Sequence, residues 1–323
     1  MNDERYAVSL PGLKLKNPFM PSSGAFYYGL DHMDDFDLNK LGALVLKTTT
    51  LAPRTGNPQP WIVNTKAGIL NSVGLANPGI AAVKADFLPE LAAKLPDLPK
   101  MLSISGATVD EFVQLAKIID ELPAINAIEL NLSCPNVDEG GRAFGVTESG
   151  IHSVVSAVRA VTTKAIYAKL SPNVTDIKPL AVTAENAGAD GLTMVNTLVG
   201  MSLDLQSRSA RLYRGKGGLS GEALHPLAVE LIWEAASAVH IPIIGVGGVS
   251  SIDDALELMM AGASAVQVGV MNSIDKLCLP KLIDALPAAL DKYHFEKVSD
   301  VTGALRALPE NEHDWEAIKK EQS

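Results

Sequence analysis

The sequence predicts a closed (β/α)8 barrel of the TIM type, with a small N-terminal hairpin and long insertions in the loops that follow strands. Three observations carry this expectation. Eight short apolar stretches recur at residues 19–21, 43–46, 101–104, 127–131, 166–170, 191–195, 243–246 and 265–268, each bounded by polar or glycine-rich turns. Helix-periodic stretches fall between them, and strands alternating with helices build a parallel sheet, which eight strands can close. A chain of 323 residues suits one such barrel, so residues 1–323 are read as a single domain. An open doubly wound sheet is the alternative, weakened because no Gly-x-Gly-x-x-Gly follows the first strand.

Taken in order, residues 8–15 read as a hairpin turned at Pro11-Gly12, fitted to cover the closed end of a barrel. Residues 108–122 open with Thr-Val-Asp-Glu, a capping box in which Thr108 and Glu111 satisfy each other's backbone donors. Helices at 176–186 and 251–261 end before Gly188 and Gly262, which can adopt the positive φ of a helix stop. Residues 226–238 are also helix-periodic. Two connections, 48–79 and 198–224, are too long for simple turns and leave the C-terminal ends of strands. Barrels of this kind carry their chemistry at those ends. The charged tail, 310–323, reads as a surface or frayed helix.

Composition removes several function classes. Hydrophobic residues make up 47% of the chain, enough for a large core. The two cysteines, Cys134 and Cys278, stand alone, which excludes a disulfide framework and a cysteine zinc site and suits a reducing compartment. No metal ligand set is read. The opening Met-Asn-Asp-Glu-Arg-Tyr lacks the basic-then-apolar pattern of a secretion signal, and no apolar run reaches membrane length. A cytoplasmic location without membrane contact is therefore expected. A net charge of −10 argues against nucleic acid as a partner.

The candidate site rests on position. Lys47, Asn131, Lys169, Asn196, Gly247 and Gly269 each stand at or just past the C-terminal end of an expected strand, and in a closed barrel those ends meet at one mouth. Gly247-Gly248 and Gly269 follow strands seven and eight, where bare backbone N–H groups can hold a phosphate; tight turns without a ligand are the lesser reading once the barrel is assumed. Two lysines admit imine chemistry, as in barrel aldolases, though an aldolase has no need of Cys134. Asn71, Asn131 and Asn196 can each donate and accept, which suits a flat ring with polar edges. Cys134 follows the apolar run 127–132 after Ser133 and precedes Pro135, a position that favours a reactive thiol over a small buried hydrophobe. An unperturbed thiol loses its proton at about 8.5. Cys278 reads as a small buried hydrophobe.

Asn-Leu-Ser-Cys-Pro-Asn at 131–136, followed by Gly-Gly-Arg-Ala-Phe-Gly at 140–145, resembles the dihydroorotate dehydrogenases, the flavin enzymes of pyrimidine synthesis. The likeness runs from Leu10-Pro11-Gly12 to about Leu286. It is strongest to the branch with a cysteine base, and within that to the NAD-linked class, on Lys-Leu-Ser-Pro-Asn-Val-Thr-Asp and Ala-Gly-Ala-Asp-Gly-Leu-Thr-Met-Val-Asn-Thr. The resemblance implies FMN as cofactor and oxidation of dihydroorotate to orotate, with Cys134 as the base. It implies FMN contacts from Ser23, Lys47, Thr48, Ser103, Asn131, Lys169, Val195, Gly221, Gly247, Gly248, Gly269 and Val270. It implies substrate contacts from Lys47, Asn131, Asn196, Thr197 and the loop Asn71, Ser72, Val73, Gly74, Leu75. Residues 135–145 would be the lid. Three positions depart from the family pattern: Ser103 stands where the NAD-linked class usually has Asn, Val270 where Thr or Ser is usual, and Trp61 where Arg is common. A homodimer core is implied, paired in the NAD-linked class with a subunit carrying FAD and an iron–sulfur cluster, since this chain has neither a cysteine cluster nor a dinucleotide fingerprint. The fumarate-using class, which shares the Cys motif and a Ser at position 103, is the runner-up. An FMN dihydropyrimidine dehydrogenase, a flavin-free aldolase and a non-catalytic binding subunit are the further alternatives.

Overall fold

Eight parallel strands surround one axis in the computed structural model, which describes residues 4–132 and 143–309 together with Asp314, Trp315, Ile318 and Lys320 of the tail. They are β1 (Phe19–Pro21), β2 (Leu44–Thr49), β3 (Lys100–Ile104), β4 (Ala127–Asn131), β5 (Ala165–Lys169), β6 (Gly191–Met194), β7 (Ile243–Val246) and β8 (Ala263–Val268). From β2 onward each pairs with its successor, and β8 returns to β1. The remaining seam is stitched just ahead of β2, where the Gly42 N–H donates to the Phe19 carbonyl at 2.9 Å. The expected eight-stranded barrel stands, with strand ends displaced by a few residues.

Helices α1 (Leu88–Lys94), α2 (Val109–Asp120), α3 (Glu148–Arg159), α4 (Lys178–Asn186), α5 (His225–Ala236), α6 (Ile252–Met260) and α7 (Cys278–Lys292) lie outside the sheet. Their apolar stripes, such as Phe112, Leu115 and Ile119 of α2, bury against the outward side chains of the strands. The Thr108 hydroxyl caps α2 by accepting from the Glu111 N–H at 3.2 Å. The Glu111 carboxylate reaches one residue further back than expected, to the Ala107 N–H at 2.7 Å. Gly188 and Gly262, at φ +100° and +130°, follow α4 and α6 as expected.

One unit departs from the expected alternation. Between β1 and β2 there is no α-helix but two single 3₁₀ turns, Leu30–His32 and Leu38–Lys40. Gly29, at φ +85°, and the Asp37 side chain, which accepts from the Asn39 N–H, each start a turn instead of extending one. The segment is held by Phe26, Tyr28, Leu38 and Leu41, all buried.

The hairpin plugs the N-terminal end of the barrel. Its strands, Val8–Leu10 and Leu13–Leu15, bury Leu10, Leu13 and Leu15 against Met20, Val45, Met101, Ala127, Ile244 and Ala265 inside the sheet. Tyr167 of β5 crosses this interior and donates its hydroxyl to the Pro11 carbonyl at 2.8 Å. Gly12 turns the hairpin at φ +70°, and a Cβ there would fall 2.8 Å from the Asn126 carbonyl. Glycine meets both demands at once.

At the opposite end the two long connections form more than loops. Strands Ile62–Thr65 and Gly68–Asn71 from the first, and Leu198–Met201 and Lys216–Ser220 from the second, join in one antiparallel sheet beside the mouth. No helix among the described residues is long and apolar enough to cross a membrane. Among the described residues no group of three or more His, Cys, Asp or Glu is placed to hold a metal.

Candidate active site

The C-terminal ends of the strands open on a cavity of about 470 Å³, within the usual range for a small-molecule or cofactor site. Its floor and walls hold the residues singled out at the strand ends: Lys47, Thr48, Asn131, Lys169, Asn196 and Thr197. The antiparallel sheet supplies one side, through Asn71, Val73, Gly74 and Leu75. Ser23, Val195, Gly221, Gly247, Gly248, Gly269 and Val270 complete the sites expected from the sequence. Ser72 and Ser103 do not line it. Ser72 is turned into its own loop, where its hydroxyl accepts from the Asn57 amide at 3.2 Å. Ser103 lies one layer beneath, fully buried, with its hydroxyl 3.0 Å from that of Thr48. Trp61 faces neither; its indole donates to the Asn57 carbonyl. Cys134 lies outside the described residues, as do Ser133 and residues 135–142 of the lid segment. On either side of that segment the chain meets itself: the Gly145 N–H donates to the Leu132 carbonyl at 2.7 Å, just past the end of β4.

The amides form a linked set. Asn196 donates to the Asn131 side-chain oxygen at 3.2 Å, and the Asn131 side-chain nitrogen donates to the Thr48 hydroxyl at 3.3 Å. Asn71 donates to the Gly218 carbonyl at 3.3 Å, which ties the substrate-loop position to the second long connection. Asn131 is held by two of these bonds, and the Asn196 side-chain oxygen also accepts from the Thr197 N–H at 2.8 Å, so the amides are fixed in place at the cavity wall.

The glycines make a bare cradle. Gly248 has φ +66°, and a Cβ there would lie 2.8 Å from the His225 nitrogen and 2.9 Å from the Gly221 carbonyl. At Gly269 a Cβ would meet only the Ser22 hydroxyl, at 3.4 Å, and would otherwise enter the cavity. A side chain is thus excluded by neighbouring protein at Gly248, while both residues line the cavity as bare backbone. His225 secures the loop by donating Nδ1–H to the Gly247 carbonyl at 2.9 Å. The residues present fit a flavin mononucleotide: a side-chain-free cradle for a phosphate, two lysines for an electron-rich ring and amides for its edges.

Beneath the floor is a feature that the sequence reading missed. Glu129 of β4 is wholly buried, with Lys169 Nζ at 3.5 Å and the Gln267 amide at 2.9 Å. Burial opposes its charge. The Lys169 ammonium, the Gln267 amide and the Ser103 and Ser23 hydroxyls outweigh that and hold its pKa below the usual glutamate value. The available signal was a carboxylate inside an otherwise apolar strand, two residues before Asn131 and so on the same, inward side.

Cys278 is the other thiol, and it is buried, donating to the Asn272 side-chain oxygen at 3.0 Å. Burial, with Asp275 nearby, pushes its pKa up to about 12. In a Cys134→Ser variant, folded protein at pH 8 is therefore expected to react with no Ellman's reagent, and unfolded protein with one equivalent per chain; rapid labelling of the folded variant would contradict the burial.

Comparison with known proteins places this geometry in context. Residues 5–290 match the family model described as dihydroorotate dehydrogenase. A curated protein from Anoxybacillus flavithermus, named dihydroorotate dehydrogenase B (NAD(+)), catalytic subunit, is 48% identical, with 93% of this chain and 95% of that protein aligned. Proteins of the same name from Halalkalibacterium halodurans and Cutibacterium acnes are 48% and 46% identical, covering 93% and 94% of this chain and 97% and 98% of theirs.

Proposed function

The chain belongs to the dihydroorotate dehydrogenase family, and from that premise we propose that its mouth cavity binds FMN and oxidises dihydroorotate to orotate. The enzyme is of the NAD-linked class, an oxidoreductase of pyrimidine synthesis whose electrons leave through a partner subunit. The observation that carries the site assignment is the convergence of Lys47, Lys169, Asn71, Asn131 and Asn196 on one cavity with the glycine cradle at Gly247, Gly248 and Gly269.

Gly248 and Gly269 present backbone donors to the phosphate of the cofactor. Bound FMN supplies the acceptor for the substrate's hydride. Lys169 sets a positive charge where the cofactor gains negative charge. Lys47 and the three asparagines hold the substrate's carboxylate, carbonyl and N–H edges flat against it, which lowers the entropic cost of reaching the reactive pose. Cys134 takes the proton from the adjacent ring carbon. Residues 135–145 exclude water during transfer. FAD and an iron–sulfur cluster belong to the partner subunit, and this chain forms a homodimer core within a heterotetramer in the cytoplasm.

The test is anaerobic. Dihydroorotate should bleach the FMN-loaded protein and dihydrouracil should not. NAD should restore the colour only when the partner subunit is present. Bleaching by dihydrouracil would reassign the substrate, and recovery with fumarate alone would move the chain to the fumarate-using class.

A further inference from the structure

The mechanism above leaves the buried layer under the cavity without a task, although that layer holds a charged carboxylate in the middle of a barrel. Interior positions of such barrels are ordinarily filled by branched apolar side chains. An apolar residue at 129 would fill the space without removing a charge from water, so packing alone does not account for Glu129. Its environment is built for an anion: Gln267 donates from β8 at 2.9 Å, and Lys169 Nζ stands 3.5 Å away on β5. The layer is also incompletely satisfied, since Gln267 Oε1 and Thr193 Oγ1 have no hydrogen-bond partner.

Lys169 links this layer to the cavity. Its side chain is 7% exposed, yet it lines the cavity. Glu129 is the only described group that hydrogen-bonds its ammonium. An ammonium has three donors, so two remain for whatever occupies the space above. The other charged groups on the cavity wall are Lys47, Lys66 and Glu222.

We propose that Glu129, held by Gln267, is a positioning residue that fixes the Lys169 ammonium against the cofactor. This rests on the FMN assignment above. The lysine charge then stands where the cofactor gains negative charge without its side chain having to move.

The potential of bound FMN tests this. Glu129→Gln, equal in size and uncharged, should shift that potential in otherwise wild-type protein and leave it unchanged in a Lys169→Met background, since Glu129 acts through the lysine. An unchanged potential in Glu129→Gln alone, or the same shift in both backgrounds, overturns the role of Glu129. Wild-type protein that binds no FMN overturns the functional reading itself, so the two failures are distinct. Should Glu129→Gln not fold, Lys169→Met, which keeps the carboxylate, should show a protonated carboxyl band in the infrared at pH 7 that wild type lacks; an ionised Glu129 in that variant overturns the pairing.

Discussion

Cys134→Ser protein is expected to keep its FMN and to lose a factor of ~10²–10⁴ in the rate at which dihydroorotate bleaches it. A serine hydroxyl matches the thiol in reach, but its proton comes off far above the working pH. Cofactor binding should be untouched, because Cys134 is not among the FMN contacts and the cradle and both lysines belong to other β/α units. The pH profile separates a base from a packing residue. Wild-type reduction should accelerate as pH rises toward the thiol pKa, about 8.5 when unperturbed, since thiolate is the active form and its fraction grows with pH. The serine variant should lack that rising limb. Anaerobic stopped-flow at several pH values measures both quantities, and an unchanged rate would remove Cys134 from the chemistry.

Lys169→Met carries the second largest expected effect. Methionine preserves most of the stem's volume and removes the charge. Loss of one well-placed electrostatic donor in a water-poor site typically costs about 2.7–4 kcal/mol of transition-state stabilisation, or ~10²–10³ in rate. The flavin potential should fall as well, because its reduced form loses a neighbouring cation. Substitution of Lys47 should act differently and raise the dihydroorotate requirement more, since that lysine is assigned to substrate and cofactor together. A Lys169→Met enzyme with wild-type reduction rate and potential would show that the lysine serves the fold alone.

Much of the fold was legible because period and punctuation agree along the chain. Apolar runs of three to five residues, cut by glycine, asparagine or proline, mark the strands, and Thr108, Gly188 and Gly262 mark helix ends through local backbone chemistry. The hairpin was legible for the same reason, since Pro11-Gly12 turns it whatever lies around it. The antiparallel sheet beside the mouth was not. Its central pairing joins Gly68–Asn71 to Lys216–Ser220, two glycine-containing strands far apart in the chain, so nothing local announces that the two connections meet. The first β/α unit misled because burial of Phe26, Tyr28, Leu38 and Leu41 is achieved by 3₁₀ turns rather than by a helical stripe.

The site divides the same way. Residues at strand ends could be placed at one mouth because barrel closure does the placing. Ser103 and Ser72 sit at similar positions in the sequence, yet each faces inward to a neighbouring polar group, a matter of side-chain direction that period alone leaves open. Glu129 was passed over because it sits inside an apolar run. Its meaning comes from Lys169 and Gln267, which approach it only through the closure of the barrel.

The most direct measurement is a crystal structure of the protein with FMN and orotate bound. The phosphate should lie against the backbone of Gly248 and Gly269, the ring edge beside Lys169 Nζ, and the orotate between Lys47 and the amides of Asn71, Asn131 and Asn196, with the Cys134 sulfur facing its ring. A structure with that sulfur on the far side of the molecule from the ends of Lys47 and Lys169 would contradict the assignment.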